Sequence, residues 1–145
     1  MDLITFEKNC RSIDSWEILS HVIEKHFDLL IQIIQDQLSE GQKETGAMPD
    51  YKSDVYAHLK ERYVPTYKVY PTTDLRVTGD FYQGIKCKLN LLGITIESFD
   101  GKAKKLEKKY GSGIYVPNDF NLKKFIDQII DEFREDLLKA LSKSN

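Results

Sequence analysis

The sequence predicts an α+β fold, with a small antiparallel sheet carrying a β-hairpin between long N-terminal and C-terminal helices. Three observations predict it. Apolar residues recur every three or four positions over 15–40 and again over 118–143, the period of amphipathic helices. Ile85, Cys87 and Leu89, then Ile94 and Ile96, alternate with polar neighbours, the period of strands. Glycine, proline and tyrosine crowd the stretch that precedes those strands.

The first helix is expected from about Ser15 to Glu40, where Leu19, Val22, Ile23, Phe27, Leu30, Ile34 and Leu38 keep the helical spacing. Asp14 or Ser15 caps its start and Gly41 ends it. Ile18, Leu29 and Ile33 widen its apolar stripe beyond one face, which suits contacts on two sides, one of them another subunit. Between Gln42 and Pro71, Gly46, Pro49, Pro65 and Pro71 predict loops around one short helix, Tyr51 to Arg62, with Val55 and Leu59 on a shared face. The prolines at 65 and 71 bias the residues before them away from helix, so 64–73 is expected as an extended arm.

The run 80–90 and the run after Gly93 are expected to pair as a hairpin, turning around Leu92 and Gly93. Lys102 to Lys109 reads as a short basic helix with Ala103 and Leu106 on its inner side. A turn and a brief strand are expected over 111–117. Asn118 or Asn121 then caps a closing helix in which Leu122, Phe125, Ile126, Ile129, Ile130, Phe133, Leu137 and Leu141 hold the period.

With 145 residues, one domain over 1–145 is the economical reading, because a chain of this size buries roughly 68–70% of its unfolded surface. The 41% hydrophobic and 30% charged residues match a folded globular protein and argue against disorder. A formal charge of −2 gives no general attraction to nucleic acid or anionic lipid, so any such binding needs a local patch. Cys10 and Cys87 match no metal spacing, which makes reduced thiols the expectation. The opening residues lack the basic and apolar regions of a secretion signal, and no apolar run approaches the ~20 residues of a membrane span.

Candidate chemistry is sparse. His21 and His26 flank Glu24, but helical zinc motifs separate their histidines by four residues. A separation of five turns the second away by about 140°. Gly111 and Gly113 lack the lysine and the following helix of a phosphate loop, so a tight turn is expected there. Asp80, Glu97 and Asp100 are scattered acids with no matching base or nucleophile. Catalysis, a cofactor and a metal are therefore not expected. Lys102, Lys104, Lys105, Lys108 and Lys109 form the concentrated positive patch, against Glu107 alone, and are the candidates for phosphate contact. Charge runs of this kind are usually solvated helix faces. Tyr51, Tyr56, Tyr63, Tyr67 and Tyr70 either line a groove or pin an irregular segment to its own core.

Taken in order, several strings resemble the virion-morphogenesis or tail-completion proteins of tailed bacteriophages, small components of the head–tail connector. They are the first helix over 15–40, a glycine-bearing loop over 41–46, Tyr51-Lys-Ser-Asp-Val-Tyr-Ala-His-Leu-Lys60, Leu75-Arg-Val-Thr-Gly-Asp-Phe81, the hairpin over 85–98, Tyr110-Gly111, and the closing helix over 118–143. Thr78-Gly79-Asp80-Phe81 is the most distinctive of them. The sequence departs at Ser53, where many relatives read Ser-Pro followed by threonine.

The resemblance implies a non-enzymatic virion part that forms a ring at the neck or upper tail, found in the virion and, during assembly, in the host cytoplasm. Its implied partners are further copies of itself and other connector, portal or tail proteins, in passive proximity to phage DNA. Ile18, Leu29, Ile33, Tyr63, Tyr67, Tyr70, Thr78, Phe81 and Tyr82 are the expected subunit contacts, through the first helix, the arm and the hairpin. The alternative is a small nucleic-acid-binding or regulatory protein acting through the 102–109 lysines.

Overall fold

Asp2, Asp14, Ser53 and Asn118 each accept a hydrogen bond from a backbone N–H two or three residues on, and a helix begins after each. The computed structural model describes residues 2–91 and 93–143. In chain order the elements are α1 (Leu3–Ser12), α2 (Ser15–Lys25), α3 (Phe27–Ser39), β1 (Gln42–Lys43), β2 (Gly46–Ala47), α4 (Asp54–Tyr63), α5 (Asp80–Gln83), β3 (Ile85–Asn90), β4 (Gly93–Ser98), α6 (Ala103–Tyr110), a 3-10 turn (Ser112–Tyr115) and α7 (Asp119–Ser142). The fold is α+β. Its strands form two separate antiparallel pairs, β1–β2 and β3–β4.

α3 runs through the centre. Its inward side chains Leu30, Ile33, Ile34 and Leu38 join Val22 and Ile23 of α2, Phe125 and Ile129 of α7, and Ile85, Ile114 and Tyr115 in a hydrophobic cluster. α7, of 24 residues and so roughly 36 Å long, packs against α1, α2 and α3. Gln37 joins α3 to the start of α7. Its Nε2 donates to Val116 O at 2.9 Å, and its Oε1 accepts from Asn118 N at 2.8 Å and from Asn121 Nδ2 at 2.9 Å. Among the described residues, no helix is long and apolar enough to cross a membrane.

Several expectations give way. The helix over 15–40 is two helices, broken at His26, whose N–H bonds to Ile23 O while its ring turns to α7. Its apolar period continues through the break, so the pattern does not reveal the bend. α1 precedes it unannounced, tied down by Asn9 Nδ2 donating to Leu141 O at 3.0 Å. Residues 64–73 are not extended but folded into successive turns, closed by Tyr67 N–H to Val64 O and Thr72 N–H to Val69 O. Tyr70–Pro71 is cis, and Thr72 pairs with Asp50 as an isolated bridge. The strand expected from Asp80 starts only at Ile85, because 80–83 form one helical turn. Residues 112–115 take a 3-10 turn with no strand after it.

The hairpin itself stands as expected, with Ile85 opposite Ser98 and Cys87 opposite Ile96. Leu92, placed at its turn, lies outside the described residues. Gly84 precedes it at a close approach: a Cβ there would meet Ser98 Oγ at 2.6 Å and Asp100 N at 2.9 Å. No larger residue fits without moving backbone.

Candidate functional site

α4 turns Ala57 and Lys60 inward and leaves Val55 and Leu59 outside, 70% and 51% exposed, the reverse of the apolar face expected from sequence. Lys60 is 3% exposed and Asp74 is fully buried. The Lys60 ammonium donates to Asp74 Oδ1 and to the Tyr51 hydroxyl, the latter at 2.6 Å. It also sits over two rings, 5.0 Å from the centre of Tyr51 and 4.8 Å from that of Tyr67. Asp74 accepts further from Tyr51 at 3.3 Å and from Arg76 N–H at 3.1 Å, and its carbonyl accepts from the Tyr82 hydroxyl.

This buried knot fastens the turns after α4 to the helix. A buried charge needs such partners, since an isolated one would cost several kcal/mol. Burial, then the Asp74 carboxylate, pushes the Tyr51 and Tyr82 phenols far above their usual range and Tyr67 up to about 12. All three phenols stay protonated and serve as donors.

Beside the knot lies a pocket of about 160 Å³. It brings together parts of the chain distant in sequence: the Tyr51–Tyr56 ring pair, the Thr78-Gly79-Asp80-Phe81 string, and Asp100, Lys102 and Tyr110 at and around α6. The Thr78 turn positions the acid: Gly79 takes φ +93°, and Thr78 Oγ1 donates to Asp80 Oδ2 at 2.7 Å. Asp100 is fixed similarly, accepting from Lys102 N–H at 3.2 Å. Thr73, 1% exposed, also lines the pocket, and among the described residues its Oγ1 has no hydrogen-bond partner.

The expected subunit contacts divide. Ile33, Tyr67, Phe81 and Tyr82 are 4–5% exposed, so they are core residues of the chain itself and offer no surface to a neighbour. Leu29 is half-buried against that core, and Ile18 is half-buried beside Lys139 of α7. Tyr63, Tyr70 and Thr78 are at the surface, although Tyr70 is engaged by Asp54 at 2.8 Å and stacked on His58. Lys102, Lys104, Lys105, Lys108 and Lys109 all lie exposed on or beside α6, with Lys109 over the Tyr110 ring. His21 and His26 do not converge: His21 is exposed and His26 pairs with Glu132 at 2.6 Å. Among the described residues no group of three His, Cys, Asp or Glu side chains could hold a metal ion. Cys10 and Cys87 are free thiols, and burial pushes Cys87 up to about 11.

Among the described residues, which also expose Leu3 and Ile4 of α1, two apolar surfaces bear on contacts with other chains. One is the outer face of α4, where Val55, Leu59 and Tyr63 follow at spacings of four and stay 51–70% exposed. The other is a groove of about 700 Å³ between α7, β4 and the 3-10 turn, lined in part by Ile94, Val116, Leu122 and Ile126. Sequence periodicity marks the residues of both as apolar but cannot tell an inner face from an outer one. The knot is harder still to foresee: Lys60 and Asp74 belong to no pattern, and only the density of tyrosines, whose buried hydroxyls need partners, points to it. No protein-family model matches this chain, and no curated protein or solved structure matches it.

Proposed function

We propose that the chain is a structural, non-enzymatic virion protein of a tailed bacteriophage, one subunit of a ring at the head–tail connector or upper tail. The observation that carries this reading is the presence of two unlike apolar surfaces on one chain, the α4 stripe and the groove beside α7. A ring closes through head-to-tail contacts, in which different patches of each copy meet, and that geometry requires two such surfaces. Exposed apolar patches of this kind mark interaction sites on soluble proteins. The ordered strings from 15 to 143, above all Thr78-Gly79-Asp80-Phe81, add the resemblance to tail-completion proteins.

Imaging of particles made without the protein tests it: heads and tails should accumulate unjoined. Complete, infectious particles overturn the proposal. Native mass measurement of the purified chain should detect oligomers, and Leu59→Asp should abolish them while leaving the circular-dichroism spectrum unchanged.

A second reading is favoured by one observation, the exposed lysine face of α6. A nucleic-acid-binding protein would lose DNA retention at low salt when all five lysines become glutamine. Each lost phosphate contact would flatten the salt slope by about 0.9 for duplex DNA.

A further inference from the structure

We infer that a second copy of this chain fills the groove beside α7 with the outer face of its α4, laying Val55, Leu59 and Tyr63 along the apolar lining and Arg62 against Glu97 and Glu107. The inference rests on the assembly reading above and says which surfaces meet. Its starting point is an inversion. An amphipathic helix turns its apolar stripe to the core and its charges to water. α4 instead points the Lys60 ammonium inward and leaves Val55, Leu59 and Tyr63 at 70%, 51% and 68% exposure. That arrangement costs the isolated chain apolar burial, and it is accounted for when the stripe is buried against a neighbour. Lys60, anchored on Asp74 and Tyr51, holds the helix in the rotation that presents the stripe outward.

The groove offers what the stripe lacks. Val116, Leu122 and Ile126 stand 37–44% exposed along it, and its volume of about 700 Å³ takes several side chains at once. α4, roughly 15 Å long, presents its anchors at intervals of four residues, as a helix laid in an apolar groove does. Charge selects this helix as the guest. Among the described residues lining the groove, only Glu97 and Glu107 are charged. Lys86 opposite Glu97, and Lys104 one turn before Glu107, make no ion pair with them. Burial, then Glu107 and more weakly Glu97, push the Tyr115 phenol above its usual range, which places both carboxylates at the Tyr115 end of the groove. Arg62 follows Val55 by seven residues and Leu59 by three, so it shares their face, exposed, with its guanidinium 5.5 Å from the centre of the Tyr63 ring. Apolar contact supplies the affinity and the Arg62 charge sets which way the helix lies. The stripe and the groove have no residue in common, so a copy can give its stripe to one neighbour while its groove receives another.

The test mixes two variants of the full purified chain, Leu59→Asp, which spoils the stripe, and Ile126→Asp, which spoils the groove, both at side chains 44–51% exposed. Each alone should be a folded monomer by native mass measurement and circular dichroism. Their equimolar mixture should give a one-to-one heterodimer and nothing larger, because the intact stripe of one fits the intact groove of the other and no further good pair remains. A mixture that stays monomeric overturns the inference, as does a parent chain that never associates. Oligomers of Ile126→Asp alone also overturn it, since they would mean that the stripe pairs with itself or that the groove serves another guest. In the parent chain Arg62→Glu should weaken association about tenfold, and adding Glu107→Lys should recover part of that loss, whereas losses that merely add overturn the seating. The outcome is separable from the virion role. Heterodimers from a chain whose absence leaves particles complete keep the contact and sink the role, while unjoined heads and tails with no heterodimer in the mixture do the reverse.

Discussion

The helical side of the molecule and the tyrosine-rich side are held together by opposite means. Around α3, cohesion is apolar and repetitive: Val22, Ile34, Leu38 and Ile129 are each at most 4% exposed and sit at helical spacing. Around α4, the helix contributes little beyond Ala57 and Lys60, and the turns that follow are secured by a buried ion pair roofed by tyrosines. An apolar core spreads its stabilisation over many contacts, each replaceable by a similar one. A buried charge pair concentrates it in two groups, neither of which tolerates the loss of the other.

Breaking the pair should therefore give the largest effect. Lys60→Met leaves Asp74 buried without its cation and should cost about 3–5 kcal/mol in urea unfolding, whereas adding Asp74→Leu should restore at least about half of that. A single-variant cost below about 1 kcal/mol would mean that water reaches Asp74, and the contrast between the two sides would collapse.

Next in size comes truncation within the apolar side. Leu38→Ala, at a fully buried position, should cost about 2–5 kcal/mol, while Leu59→Ala on the outer face of α4 should stay within about 0.5 kcal/mol in the monomer. Equal costs would place the α4 stripe inside the fold and remove it as a contact surface.

The same contrast explains what the sequence discloses. α7, its Asn118 cap, the hairpin register of alternating residues and the basic α6 with Ala103 and Leu106 inward all follow from local period and capping, and the structure has them. The bend at His26 does not, because the apolar stripe is continuous across it and the partner of its ring is Glu132, more than a hundred residues away. Nor does the inner face of α4: Val55 and Leu59 have the better apolar spacing, but a lysine wins the interior because Asp74 and two rings await it. The tyrosine segment leaves open whether its rings line a groove or pin the chain. Tyr67 pins it, and Tyr51 does both.

The smallest effect concerns the bend. Glu132 of α7 pairs with His26 at 2.6 Å and with Lys25 at 2.8 Å, holding the junction of α2 and α3 against the long helix. The His26 hydrogen bond first, and the Lys25 hydrogen bond next, hold the Glu132 carboxyl at about 2, below its ordinary 4.5. A carboxylate whose pKa falls on folding adds stability that is complete above the unfolded value and is lost as pH drops through the folded one. The difference in melting temperature between the protein and its Glu132→Gln variant should hold steady above about pH 4.5 and shrink toward zero near pH 2. Because the group is partly exposed, that difference should also shrink in high salt, unlike the cost of Lys60→Met, whose pair lies beyond the reach of screening ions. Equal salt sensitivity at the two sites would show that the knot under α4 is as wet as the clamp at the bend.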